Sequence, residues 1–124
     1  MFNYPEAKIY LVFSWVVFIL ILIITPLPNL ENSSELTLND KIIHFFMFGV
    51  LSFLLNWSLR EVRESRPLFA DTLIVSGVII YVLLCEYIQG FIPSRTACQW
   101  DIIAGILGAI IGLTLANLYF REEK

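Results

Sequence analysis

The chain has 124 residues, 58% of them hydrophobic and 15% charged, with a net charge of -3 and a mean hydropathy of +0.78. A water-soluble domain of this size needs far more charge to cover its surface, so lipid is the natural solvent for this composition. No basic cluster or aromatic–basic interleaving points to nucleic acid, and two cysteines, Cys85 and Cys98, are too few for a disulfide framework.

A helical membrane span needs about 20 apolar residues. Four spans with short connections use up the chain, so the sequence predicts an all-α, polytopic membrane protein with one membrane domain over residues 1–124. The first span is predicted over residues 9–25, IYLVFSWVVFILILIIT, which carries no charge. It is too long, and too poorly followed by small residues, for a cleaved signal peptide. Pro26 and Pro28 stop it, because proline lacks the helical N–H and restricts the residue before it. A polar connection follows, with Asn32, Ser33 and Ser34 as turn residues and Glu31 and Glu35 as its charges. Thr37 or Asn39 is the expected cap of the second span, residues 42–59. The stretch REVRESRP, residues 60–67, is the most charged in the protein and is read as a connection. The third span is predicted over residues 69–86, a second polar connection with Pro93 over 87–100, and the fourth span over 102–120.

Lysine and arginine counts beside the spans predict an orientation. One side holds Lys8, Arg60, Arg63, Arg66, Arg121 and Lys124, six in all; the other holds Lys41 and Arg95, two. The positive-inside rule places both termini and the arginine-rich hairpin in the cytoplasm. In the fourth span Gly105, Gly108 and Gly112 form a stripe with Ala104, Ala109 and Ala116, a pattern that lets membrane helices approach backbone to backbone. The stripe can serve packing within the chain, a partner helix or a homo-oligomer.

Ionisable residues in or beside membrane spans are costly and mark candidate functional sites. Asp40, Lys41 and His44 lie at the predicted outer end of the second span, Glu86 and Gln89 at that of the third, Asp101 opens the fourth, and Arg95 lies in the loop between the last two. All of these fall on the predicted outer side. Asp40 and His44 are four residues apart and Glu86 and Gln89 three, so each pair shares a helix face. Asp101 is in register with the glycine stripe, which turns it toward the bundle interior. One polar pocket in which His44, Glu86 and Asp101 meet is therefore expected.

Ordinary structural roles compete with that reading. Asp40 and Asp101 can cap helix N-termini, Lys41 can snorkel to the interface, and an isolated buried histidine is more often a hydrogen-bonded interior residue than a ligand. Glu86 is the hardest to explain away, being an anion at the unfavourable end of a helix. No phosphate-binding loop, zinc-protease helix, serine elbow or Cys-x-x-Cys is present. One histidine with scattered carboxylates is a weak metal signal, so no metal or cofactor is expected. Pairing of Cys85 with Cys98 is not the favoured expectation either, one lying in a helix and the other in a loop.

At these residues the chain resembles the VanZ-like family of bacterial membrane proteins. DKIIHFFMFGVLSFLL, residues 40–55, looks like that family's Asp-Lys-x-x-His-Phe-x-x-Phe signature. CEYIQGFIPSRTACQWDIIAGILGAIIG, residues 85–112, is similar to its Glu-x-x-Gln-x-Phe-x-Pro-x-Arg-x-x-x-x-x-Asp pattern with spaced glycines, here Glu86, Gln89, Phe91, Pro93, Arg95, Asp101, Gly108 and Gly112. Many members carry Asn four residues after the final Asp; here that position is Gly105, which leaves a polar group missing from the pocket or replaced by water. The resemblance implies a cell-envelope protein of the bacterial cytoplasmic membrane, related to one associated with resistance to teicoplanin. The expected function is binding of a lipid or lipid-linked cell-wall headgroup by Asp40, Lys41, His44, Glu86, Gln89, Arg95 and Asp101. Two alternatives stand beside it: an enzyme using His44 with Glu86 or Asp101 on a lipid-linked substrate, and a non-catalytic structural or accessory subunit.

Overall fold

A computed structural model describes residues 5–24, 33–91 and 99–122, with side chains over 7–24, 41–91 and 99–120. The helices are α1 (Pro5–Ile24), α2 (Ser33–Ser58), α3 (Arg60–Ser65), α4 (Pro67–Gln89) and α5 (Gln99–Glu122). Among the described residues, four stretches are long and apolar enough to cross a membrane: Ala7–Ile24, Lys41–Ser58, Pro67–Gln89 and Gln99–Phe120. The chain is a polytopic all-α membrane protein. Its surface carries large apolar side chains such as Ile9, Phe13, Phe46, Ile80 and Leu115, the distribution that lipid rather than water selects.

Two local expectations change. α2 begins at Ser33, so Thr37 and Asn39 lie inside the helix and do not cap it. Asn and Ser are residues of turns and helix starts alike, which is why the polar stretch before it reads as connection. The charged stretch after α2 is also helical. Leu59 N–H donates to the Leu55 carbonyl at 2.9 Å and Arg63 N–H to the Leu59 carbonyl at 2.8 Å, so the helical bonding runs on through Leu59 into α3. The chain turns at Arg66, whose backbone (φ -138°, ψ 73°) is driven out of the helical region by Pro67, the first residue of α4.

α2 and α4 form the middle of the bundle, with α1 and α5 each packed against both. Ile19 and Ile23 of α1, Met47, Phe48 and Leu51 of α2, Ile74, Val78, Val82 and Cys85 of α4, and Ala109 and Leu113 of α5 make the main core. Among the aromatics, Phe48 and Trp57 are buried, whereas Phe46, Phe91 and Trp100 face outward. α1 is tied down by two polar bonds. Trp15 Nε1 donates to the Met47 carbonyl at 2.9 Å, and the Tyr81 hydroxyl donates to the Val16 carbonyl at 2.6 Å.

The α2–α5 crossing is the closest in the bundle, and glycine makes it so. A Cβ on Gly108 would lie 2.8 Å from the carbonyl carbon of Phe45, and one on Gly112 would lie 2.8 Å from that of Gly49. The glycine stripe is thus filled by α2 of the same chain. Gly105 faces Phe48 and Val82, whose side chains a Cβ would meet at 2.9 Å and 3.1 Å. Of the two expectations for this position, a missing polar group or a water in its place, the apolar neighbours fit the first.

Parts of the two predicted polar connections, residues 26–32 and 92–98, lie outside the described residues. They include Pro26, Pro28, Pro93, Arg95 and Cys98, and so the question of a Cys85–Cys98 bond; Cys85 itself is fully buried in α4. The side chain of Asp40 also lies outside them.

Candidate functional site

Three helices deliver one buried polar residue each to the same end of the bundle. His44 sits one turn into the apolar part of α2, on the face that continues through Met47, Phe48 and Leu51 into the core. Glu86 follows Val78 and Val82 at four-residue steps along the inward face of α4, so the periodicity that buries the valines buries the carboxylate. Asp101 stands in the first turn of α5, one turn before Gly105, where its charge complements the helix dipole. The close seat of Gly105 against Phe48 and Val82 draws that turn of α5 up to both other helices.

The result is a compact polar cluster in an apolar frame. His44, Glu86 and Asp101 are exposed by only 1%, 3% and 2%. His44 Nε2 lies 3.2 Å from Glu86 Oε1. One ligand atom from each of the three residues lies within 4.8 Å of the others. Lys41, one turn before His44, approaches Asp101 with Nζ 3.9 Å from Oδ1, and its side chain keeps 26% of its surface exposed. Gln89 is fully buried one turn beyond Glu86 on the same face. The structure therefore brings together Lys41, His44, Glu86 and Asp101, with Gln89 buried beside Glu86; Asp40 and Arg95 are the two site residues whose side chains it does not describe.

The expectation that every ionisable residue in or beside the spans falls at this end needs one correction. Asp71, in the second turn of α4, belongs to the opposite end. There it accepts hydrogen bonds from Arg63 of α3, one of them from Nη2 to Oδ2 at 3.4 Å, and fastens the α2–α4 hairpin. Its position near a helix start, among three arginines, hides it in the sequence. A second feature the sequence reading missed is the interhelical amide pair in which Asn56 Nδ2 of α2 donates to Asn117 Oδ1 of α5. Asn56 is buried near the other end of the same span, and an amide within an apolar helix is the signal that could have found it.

Cations gather against aromatic rings at that opposite end. Lys8 Nζ lies 5.4 Å from the ring centre of Trp57, the Arg60 guanidinium lies 5.4 Å from that of Phe120, and that of Arg66 lies 5.9 Å from that of Phe69. The start of α1, α3 and the end of α5 thus share one face, and the buried acids share the other.

The VanZ/LLP1 family profile matches residues 5–120. The chain belongs to the VanZ/LLP1 family. The match takes in α1 as well as the two motifs of residues 40–112, so the first span is part of the family's fold and not an appendage. An uncharacterized protein of Schizosaccharomyces pombe is 32% identical over 107 residues, which is 86% of this chain and 64% of that relative. The VanZ/LLP1 chain described here thus spans somewhat less than two-thirds of the length of its fission-yeast relative. A relative in a yeast shows that membership of this family does not by itself specify a bacterial membrane. No solved structure matches the chain.

Proposed function

We propose that this VanZ/LLP1 protein binds the polar or phosphorylated headgroup of a membrane lipid or of a lipid-linked cell-wall intermediate. The observation that carries this reading is the convergence of Lys41, His44, Glu86 and Asp101 at the ends of three membrane helices. Each lies within about one helical turn, some 5 Å, of the end of its apolar stretch, the depth at which headgroups begin. Lys41 is the partly exposed cation of the set and meets an incoming phosphate first. His44 and Arg95 add donors, and Glu86, Asp101 and Asp40 orient them or accept hydrogen bonds from headgroup hydroxyls, with Gln89 beside Glu86. The site faces outward from a bacterial cytoplasmic membrane, with both termini in the cytoplasm. Occupancy of lipid-linked wall intermediates there gives the protein a part in tolerance of teicoplanin-type glycopeptides.

The test is lipid recovery. Phosphorylated lipid that co-purifies with the wild-type protein is expected to be lost in Arg95→Ala and in Glu86→Gln; equal recovery from all three proteins rejects the reading.

The 3.2 Å approach of His44 to Glu86 favours a second reading, an enzyme. An imidazole this close to a carboxylate is oriented as a general base, and Asp101 is near enough to share that task. On this reading purified protein turns over a lipid-linked substrate, and His44→Gln abolishes turnover while the thermal unfolding midpoint is retained. Binding without turnover leaves the first reading alone.

A further inference from the structure

We infer that His44, Glu86 and Asp101 form a binding site for one divalent metal ion of the zinc or manganese type. The inference rests on the reading of this cluster as the protein's working site, and it names what a headgroup phosphate would meet there. The residues are chemically suited to it. One imidazole nitrogen and two carboxylates make a mixed ligand set that suits borderline and harder divalent ions. With the imidazole neutral, the two carboxylates match the charge of the ion, and in a low-dielectric bundle that attraction is far stronger than in water.

Geometry points the same way. Metal–donor distances of about 2.0–2.2 Å place two donors on one ion about 3.0–3.5 Å apart. His44 Nε2 and Glu86 Oε1 are already 3.2 Å apart. The third donor lies within 4.8 Å of both, so a carboxylate shift on the order of 1–2 Å completes the set. Three helices supply the three donors, and Gly105 holds α5 against Phe48 of α2 and Val82 of α4, so the frame is preorganised by packing. Lys41 stands beside the set, its Nζ 3.9 Å from Asp101 Oδ1. Gln89, fully buried one turn beyond Glu86 on the same helix face, is a residue type that supports a metal ligand by hydrogen bonding. Three protein ligands leave a coordination position open, the arrangement in which an ion takes up water or a substrate oxygen. A phosphate oxygen in that position, with Lys41 beside it, joins the ion to the proposed headgroup.

The whole chain, purified in detergent, stripped by a chelator and dialysed, is titrated with zinc or with manganese alone. One ion per chain and a raised thermal unfolding midpoint are expected. His44→Gln and Asp101→Asn are expected to weaken binding by about tenfold or more, while Cys85→Ala, which removes the buried thiol of α4, leaves it unchanged. Lys41→Met supplies a variant with all three ligands intact: it is expected to keep the ion and lose co-purified lipid. Absence of stoichiometric binding to the folded wild-type protein overturns the inference, as does undiminished, wild-type affinity in both His44→Gln and Asp101→Asn. If no ion binds while lipid recovery still depends on Arg95 and Glu86, the metal site falls and headgroup binding stands. If the ion binds while lipid recovery is the same in all variants, headgroup binding falls and the metal site stands.

Discussion

Trp15 and Tyr81 show how a single polar hydrogen matters in a bundle that has no water to fall back on. Each ring donates to a backbone carbonyl across a helix interface, Trp15 from α1 to α2 and Tyr81 from α4 to α1. Interhelical bonds of this sort contribute about 0.5–1.5 kcal/mol in membrane proteins. Trp15→Phe and Tyr81→Phe are each expected to lower unfolding free energy in mixed micelles by about that amount; no loss in either would show the bonds to be idle. Neither residue stands out in the sequence, because an aromatic in an apolar run has the same pattern whether it meets lipid, packs in the core or donates a bond. His44, Glu86 and Asp101 were legible for the opposite reason: a charge in such a run has few structural excuses. Asp71 escaped notice because its neighbours supplied one, in Arg63.

Among the helices, the glycines divide cleanly by what surrounds them. Gly108 and Gly112 have backbone of α2 where a side chain would begin, and Gly49 in turn would meet the Gly108 carbonyl oxygen at 3.0 Å. Gly77, on α4, has nothing within 4 Å. Gly108→Ala and Gly112→Ala are therefore expected to destabilise the folded protein by about 1–3 kcal/mol or more, since backbone cannot rotate out of the way. Gly77→Ala is expected to be neutral or to stabilise by up to about 1 kcal/mol, as a helical glycine replaced by alanine does. Denaturation of all three in one detergent system checks the contrast, and equal effects would contradict it. The sequence showed the stripe but not its partner, because small-residue spacing is the same for an internal neighbour and for a second chain. It showed the four apolar helices well, and their ends poorly: interfacial helix such as the start of α2, or all of α3, has the polar composition of a loop.

For the molecule as a whole, the separation of charge between its two faces is the main organising fact. One face gathers Lys8, Arg60 and Arg66 over aromatic rings, and the other buries its acids around a histidine. On the positive-inside rule, the proposed orientation puts the first face in the cytoplasm. A fluorescent protein fused after Lys124 is accordingly expected to fluoresce in cells, and an alkaline phosphatase fused there to be inactive; the reverse pair of results would turn the site to the cytoplasm. The grouping of residues onto faces was readable from span order alone. The depth of burial at the site was not, since it depends on how closely α5 is drawn in.

That closeness decides how anything reaches the acids. Three seams meet at the cluster, between α2 and α5, α2 and α4, and α4 and α5. The first is shut main chain to main chain at Phe45, Gly49, Gly108 and Gly112, and no lipid tail can part it without breaking the bundle. The α2–α4 seam is in turn covered by α1, which packs on both helices and is bonded to each through Trp15 and Tyr81. A group that reaches the acids from the bilayer side therefore does not pass between α2 and α5.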